Sequence, residues 1–161
     1  SRDFLDSRGL QNYEIGDIGP TYGFAFRHFG EEYNGMNSKY NGFDQIEYLI
    51  NEIKNNPNSR RLIIDLWNPC DFSKTALPPC VFMYQFFVQG DKLSCQLYQR
   101  SADSFPANHW NTTSCALFIH IIAHICNLKP YKLHHITGDT HIYEIHKEQV
   151  EKQLLRNGFI F

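Results

Sequence analysis

Cys80 follows Leu77-Pro78-Pro79 and opens the apolar run Val81 to Val88, which reads as a strand. The two prolines hold the thiol at the rigid start of that strand, where a site can use it as a nucleophile in its thiolate form. Taken alone, a cysteine on a strand is more often a small core residue. Two arginine clusters frame it in the sequence: Arg60-Arg61 at the mouth of one strand and Gln99-Arg100-Ser101 at the end of another. The forked guanidinium matches phosphate geometry and a serine adds a hydroxyl donor, so the two clusters can hold one phosphoryl group; the bland alternative is a set of exposed surface arginines. His120 and His124 stand four apart on a helical stretch, one face, as metal ligands do. The glutamate of a His-Glu-x-x-His site is missing, and His134-His135 on a strand point to opposite faces, so no metal site is expected.

The elements that must position these groups are legible from periodicity. Phe43, Ile46, Leu49, Ile50 and Ile53 recur at helical spacing, and Asn55 to Pro57 ends the pattern. Arg61 to Trp67 reads as a short buried strand. Val81 to Val88 and Leu93 to Gln99 read as a hairpin turning at Gln89-Gly90-Asp91, with Leu93, Cys95 and Leu97 on one face. Thr112 to Asn127 is apolar almost all round and predicts a helix buried in the core. Lys132 to Thr137 predicts a strand, and His146 to Asn157 a polar helix with Val150 and Leu154 facing inward. Ser1 to Gly19 shows no sustained periodicity, and Phe159-Ile160-Phe161 is an apolar end that expects a partner. The expected fold is α+β, a single domain over residues 1–161 with a mixed sheet packed on a long buried helix, open at both ends.

Composition bounds what such a domain does. With 42% apolar and 15% aromatic residues the 161-residue chain can build a core, which excludes intrinsic disorder. The formal net charge of -2 gives no basis for the sequence-blind grip of a nucleic-acid binder. No run reaches the roughly 18 apolar residues of a membrane span, and no secretory leader is visible. Five cysteines, odd in number and without a C-x-x-C pair, favour a reducing compartment over a disulfide framework, so the expected location is cytoplasmic.

Gly19-Pro20-Thr21-Tyr22-Gly23, Arg27-His28-Phe29-Gly30, Asn55-x-Pro57 with Arg60-Arg61, Ala76-Leu77-Pro78-Pro79-Cys80, Ser94 to Ser101, Ala123-His124-Ile125 and Gly138-Asp139-x-His141-Ile142-Tyr143 follow one another in an order and spacing that resembles thymidylate synthase, from about Asp17 to Arg156. The resemblance implies that family's fold and its reaction, the reductive methylation of dUMP to dTMP with 5,10-methylenetetrahydrofolate as co-substrate and no metal. It makes Cys80 the nucleophile that adds to C6 of uracil, and Arg100 the arginine that touches both phosphate and cysteine. It makes Ser101 a phosphate ligand, and Arg60 and Arg61 a pair acting in trans across a homodimer. His141 and Tyr143 then bind the deoxyribose 3′-hydroxyl, and Asn111 reads the O4/N3–H edge of the base. Asp103 contacts the pterin, Tyr22 assists the water that removes the C5 proton, and Ala107 and Trp110 line the folate surface.

Three departures from the family pattern stand out: Val81 in place of a histidine, Pro106-Ala107-Asn108-His109-Trp110 before Asn111, and Ala25-Phe26 where Gln-Trp is usual. The family's N-terminal and C-terminal segments, including a general acid-base glutamate, have no counterpart here. The resemblance therefore implies a catalytic region of a longer enzyme, or of a bifunctional dihydrofolate reductase–thymidylate synthase, inactive when isolated. Two other readings compete: a remnant that binds nucleotide or dimerises without turnover, and a pyrimidine-nucleotide hydroxymethylase, whose cytosine form Asn111 disfavours.

Overall fold

A computed structural model describes residues 1–156. The helices are α1 (Arg2–Ser7), α2 (Tyr22–His28), α3 (Gln45–Asn55), α4 (Asn108–Ile125) and α5 (Lys147–Leu154), and the strands β1 (Ile63–Asp65), β2 (Val81–Gln89), β3 (Lys92–Asp103) and β4 (Lys129–His141). The four strands form one sheet in the order β1-β2-β3-β4. β1 and β2 pair antiparallel, as do β2 and β3, while β3 and β4 run parallel with α4 as the crossover, so the sheet is mixed as expected. The β2–β3 hairpin closes at Gly90, whose φ of 60° is the left-handed conformation the turn needs.

One face of the sheet carries the core. Leu62, Ile64, Leu66, Val81, Tyr84, Phe86, Val88, Leu93, Cys95 and Leu97 pack there against Leu49 and Ile53 of α3 and Cys115, Ile119, Ile122 and Ala123 of α4. Helix α3 begins at Asp44, whose side chain accepts the Glu47 amide at 3.0 Å. This cap excludes Phe43 from the expected helix; Phe43 instead pairs with Phe29 in a two-residue bridge. Gln45 of α3 is buried and spends its whole carboxamide on backbone, donating to the Ala25 and Asp65 carbonyls and accepting the Asp65 amide. It fastens α2, α3 and β1 together.

Two expectations about helix burial are corrected. Helix α4 is buried along one face only, because a single layer of sheet lies beneath it; Leu117, Ile121 and Ile125 remain exposed on the other. Leu154 of α5 is 80% exposed and Val150 only partly buried, since α5 buries no residue and meets the turn after β3 through the polar Gln149, Lys152 and Gln153. The Phe159-Ile160-Phe161 end lies outside the described residues.

The first 20 residues are ordered by contacts that leave no periodic trace. Ser1 caps α1, and Arg2 donates to the carbonyls of Gln11 and Tyr13 at 2.8 Å. Leu5, Leu10 and Ala76 make a second small apolar cluster. At the other end of the domain Gly138 is required by close approach: a Cβ there would lie 2.8 Å from the Arg100 carbonyl oxygen of β3.

Candidate active site

Cys80 is the residue just before β2, and the sheet register sets Arg100 across from it: Val81 pairs with Gln99, and the Arg100 amide donates to the Cys80 carbonyl at 2.8 Å. The amide of Cys80 is taken by a different element. The Tyr22 hydroxyl, in the first turn of α2, accepts it at 2.9 Å and reaches the Val81 amide at 3.4 Å. Both backbone groups of the cysteine are thus satisfied, and the half-buried side chain is presented from a fixed backbone.

The Arg100 guanidinium does not point at the thiol. It donates through Nε to the Pro79 carbonyl at 2.9 Å and through one terminal nitrogen to the Pro78 carbonyl at 3.1 Å, and it lies over the Trp67 ring at 5.2 Å. A guanidinium has five N–H donors. Two are engaged here, and the remaining three can meet an anion. The Leu77-Pro78-Pro79 motif therefore has a second use: its two proline carbonyls brace the arginine.

Burial pushes the Tyr22 hydroxyl above its ordinary value, against the opposing pull of the Val81 and Cys80 amides. It stays protonated at neutral pH, with its oxygen accepting from backbone and its proton left to give.

Beyond Arg100 the remaining candidates follow β3 and its parallel neighbour. Ser101 pairs with Asp139 and Asp103 with His141. His141 Nδ1 lies 2.9 Å from Asp139 Oδ1, and its ring meets the Tyr143 ring edge-on with centroids 5.0 Å apart. Asp103 Oδ1 is buried and has no hydrogen-bond partner among the described residues. A turn then leads into α4, with the Ala107 amide donating to the Asp103 carbonyl at 3.3 Å. Asn111 sits in the first turn of α4, half-buried. Trp110 beside it is 66% exposed and packs against His109.

The structure so brings Tyr22, Cys80 and Arg100 together through hydrogen bonds to Cys80, and places Ser101, Asp103 and His141 along one pair of strands with Tyr143 just beyond the end of β4, and Ala107, Trp110 and Asn111 at the adjoining helix start. Arg60 and Arg61 stand apart. Both are exposed on the segment between α3 and β1, and Arg60 lines a concavity of about 530 Å³ over the outer sheet face with Gln85, Phe87, Gln96, Lys132 and His134. His120 and His124 are exposed on α4. Among the described residues no three His, Cys, Asp or Glu side chains are grouped to hold a metal ion.

Sequence reasoning gave no role to Trp67, which lies under the Arg100 guanidinium, and did not foresee that Gln99 and His135 meet at 2.9 Å. A tryptophan two residues past a short strand carries no pattern of its own.

The α+β domain thus carries on its mixed sheet a backbone-braced cysteine beside an arginine with three N–H donors unengaged. The thymidylate synthase family profile matches residues 3–160, and this chain belongs to that family. It is 51% identical to the thymidylate synthase of Homo sapiens over 97% of this chain and 50% of that protein. It is 49% identical to the thymidylate synthase of Ascaris suum over 98% of this chain and 54% of the other. A putative bifunctional dihydrofolate reductase-thymidylate synthase of Oryza sativa subsp. japonica is 49% identical over 96% of this chain and 32% of its own length. The chain thus spans about half the length of the first two relatives and about a third of the last.

Proposed function

We propose that this chain forms the nucleotide-holding and nucleophile-bearing part of an enzyme that methylates dUMP to dTMP with 5,10-methylenetetrahydrofolate. The observation that carries the reading is the clamp on Cys80: its amide on Tyr22, its carbonyl on the Arg100 amide, and the Arg100 side chain on the two preceding carbonyls. In this reading three guanidinium N–H groups of Arg100 and the Ser101 hydroxyl take the phosphate, and His141 and Tyr143 take the sugar hydroxyl. The Asn111 carboxamide gives to O4 and accepts from N3–H. The Cys80 sulfur adds to C6, electron density moves to C5 and O4, and C5 becomes the carbon nucleophile. The folate supplies the one-carbon unit and the hydride. The Tyr22 proton orders the water that takes the C5 hydrogen, and the sulfur leaves as C6 regains its double bond.

The unpartnered Asp103 Oδ1 is a buried acceptor awaiting a donor, which fits an N–H-rich pterin at that place, with Ala107 and Trp110 along its edge. Arg60 and Arg61 serve the phosphate of a second copy in a homodimer. The position of Arg60 over the outer sheet face, apart from Cys80, and the exposure of Arg61 beside it support this arrangement. A cytoplasmic location accords with five free thiols, one of them exposed. No helix among the described residues is long and apolar enough to cross a membrane.

The second reading, a nucleotide-binding remnant, is favoured by one feature: the altered stretch 106–110 ends in an exposed tryptophan. One experiment separates the two. Incubating the full-length protein with 5-fluoro-dUMP and methylenetetrahydrofolate and mapping the adduct by peptide mass spectrometry is expected to place it on Cys80. A label on Cys95 or Cys115 overturns the assignment, and no label at all leaves the remnant.

A further inference from the structure

Gln99 is 1% exposed in β3, between Tyr98 and Arg100, so each of its polar atoms needs a partner. Its Nε2 donates to the Ser101 carbonyl at 2.8 Å, which fixes the orientation of the amide, since a carbonyl can only accept. Its Oε1 therefore accepts, and the His135 Nε2 at 2.9 Å must carry a hydrogen. On the far side of the imidazole, Nδ1 lies 3.1 Å from the Thr112 hydroxyl of α4. Burial lowers the pKa of His135, so the ring is neutral at pH 7 and Nδ1 is an acceptor. The Thr112 proton then goes to the ring, in competition with the Asn108 carbonyl at 3.0 Å.

The result is a directed chain, Thr112 to His135 to Gln99 to Ser101, that crosses from α4 through β4 to β3. Its ends are sequence neighbours of the proposed ligand contacts. Ser101 is itself the proposed phosphate ligand, and Thr112 follows Asn111, the proposed base reader. Phosphate and base are held a fixed distance apart by the nucleotide, so their two protein partners must be held apart to match. The turn from Asp103 to Ala107 is the direct backbone link between these elements, and its 3.3 Å bond is long. We infer that His135 is a positioning residue: through Gln99 and Thr112 it sets the spacing between Ser101 on β3 and Asn111 on α4, and so the affinity for an intact nucleoside monophosphate over phosphate alone. This rests on the nucleotide reading given above.

Calorimetry on the full-length protein tests it with two probes, dUMP and inorganic phosphate. Thr112→Val removes the hydroxyl at nearly constant volume, and His135→Leu removes both ring nitrogens. Each is expected to weaken dUMP binding about tenfold while phosphate binding changes less than about twofold, because only the nucleotide spans both contacts. Thr112→Ser, which keeps the hydroxyl, is expected to restore dUMP binding. Unchanged dUMP affinity in both Thr112→Val and His135→Leu overturns the inference, as does a parallel loss of phosphate and dUMP binding or failure of the serine variant to rescue. If the unaltered protein binds no dUMP, the nucleotide reading falls and this one with it; normal binding by the unaltered protein isolates a failure to the relay alone.

Discussion

The Tyr22 hydroxyl accepts the Cys80 backbone amide at 2.9 Å, which ties the first turn of α2 to the residue that opens β2 across 58 positions of sequence. Tyr22→Phe strands that amide in a partly buried place, where an unsatisfied donor costs about 1–3 kcal/mol. It also deletes the proton proposed to order the catalytic water. A lowered unfolding midpoint is therefore expected. Adduct formation with 5-fluoro-dUMP should persist while dTMP formation drops by roughly 10²-fold or more, the scale on which a lost acid-base partner acts. Stopped assays of both steps check the split; equal loss of the two, or full turnover, would remove Tyr22 from the chemistry.

Arg100 acts on the cysteine loop through shape as much as through charge. Its fork spans the Pro78 and Pro79 carbonyls while its plane rests on Trp67. Arg100→Lys keeps one positive charge but cannot make both bonds and still face an anion. The expected outcome is a rise in the KM for dUMP of about tenfold or more. Trp67→Leu, which leaves the fork and removes only the stacking, is expected to give the same pattern at smaller size, because the cation–π contact contributes about 0.5–2 kcal/mol. Wild-type dUMP kinetics in Arg100→Lys would show that the charge alone suffices.

Much of this was readable beforehand where local chemistry and pattern coincide. The hairpin is legible because Gly90 separates two β-rich runs, the second of them alternating, whereas the expected strand Lys132 to Thr137 stops short of the observed end of β4 at His141. The residues of the site were named by resemblance, but their contacts were not: a Pro-Pro carbonyl pair as an arginine brace has no periodic signature. The one-sided burial of α4 was illegible for a different reason. Its composition is apolar on every face, so only the sheet beneath it, a tertiary fact, decides that Ile122 is buried and Ile121 exposed. Helix α1 and the loop to Gly19 form through caps and single arginine bonds, which period-based reading does not register.

Asn111 offers a test of base choice that is independent of turnover. A carboxamide presents one donor and one acceptor, matching the O4/N3–H edge of uracil, whereas a carboxylate only accepts and suits the amino group of cytosine. Asn111→Asp is expected to move the ratio of dUMP to dCMP affinity toward dCMP by about 10–100-fold, the size of one mismatched polar contact in a desolvated pocket. Competitive binding of the two nucleotides measures it. An unchanged ratio would show that another side chain reads the base.

His135 predicts a pH dependence of stability whose sign follows from its surroundings. Burial depresses its pKa in the folded protein below the ordinary value of about 6.5, while the unfolded chain keeps that value. Below it the unfolded state binds more protons than the folded state, and stability falls as pH falls. The contribution is present above about pH 6.5 and is lost progressively as the solution is acidified through and below it. Thermal unfolding midpoints between pH 7.5 and 5.5 should therefore decline, and His135→Gln, which keeps the donor to Gln99 but cannot titrate, should decline less steeply over the same window. The two curves converge toward acid if the group is responsible. Parallel curves for the two proteins would place the pH dependence elsewhere and indicate that the ring is as easily protonated in the fold as in the unfolded chain.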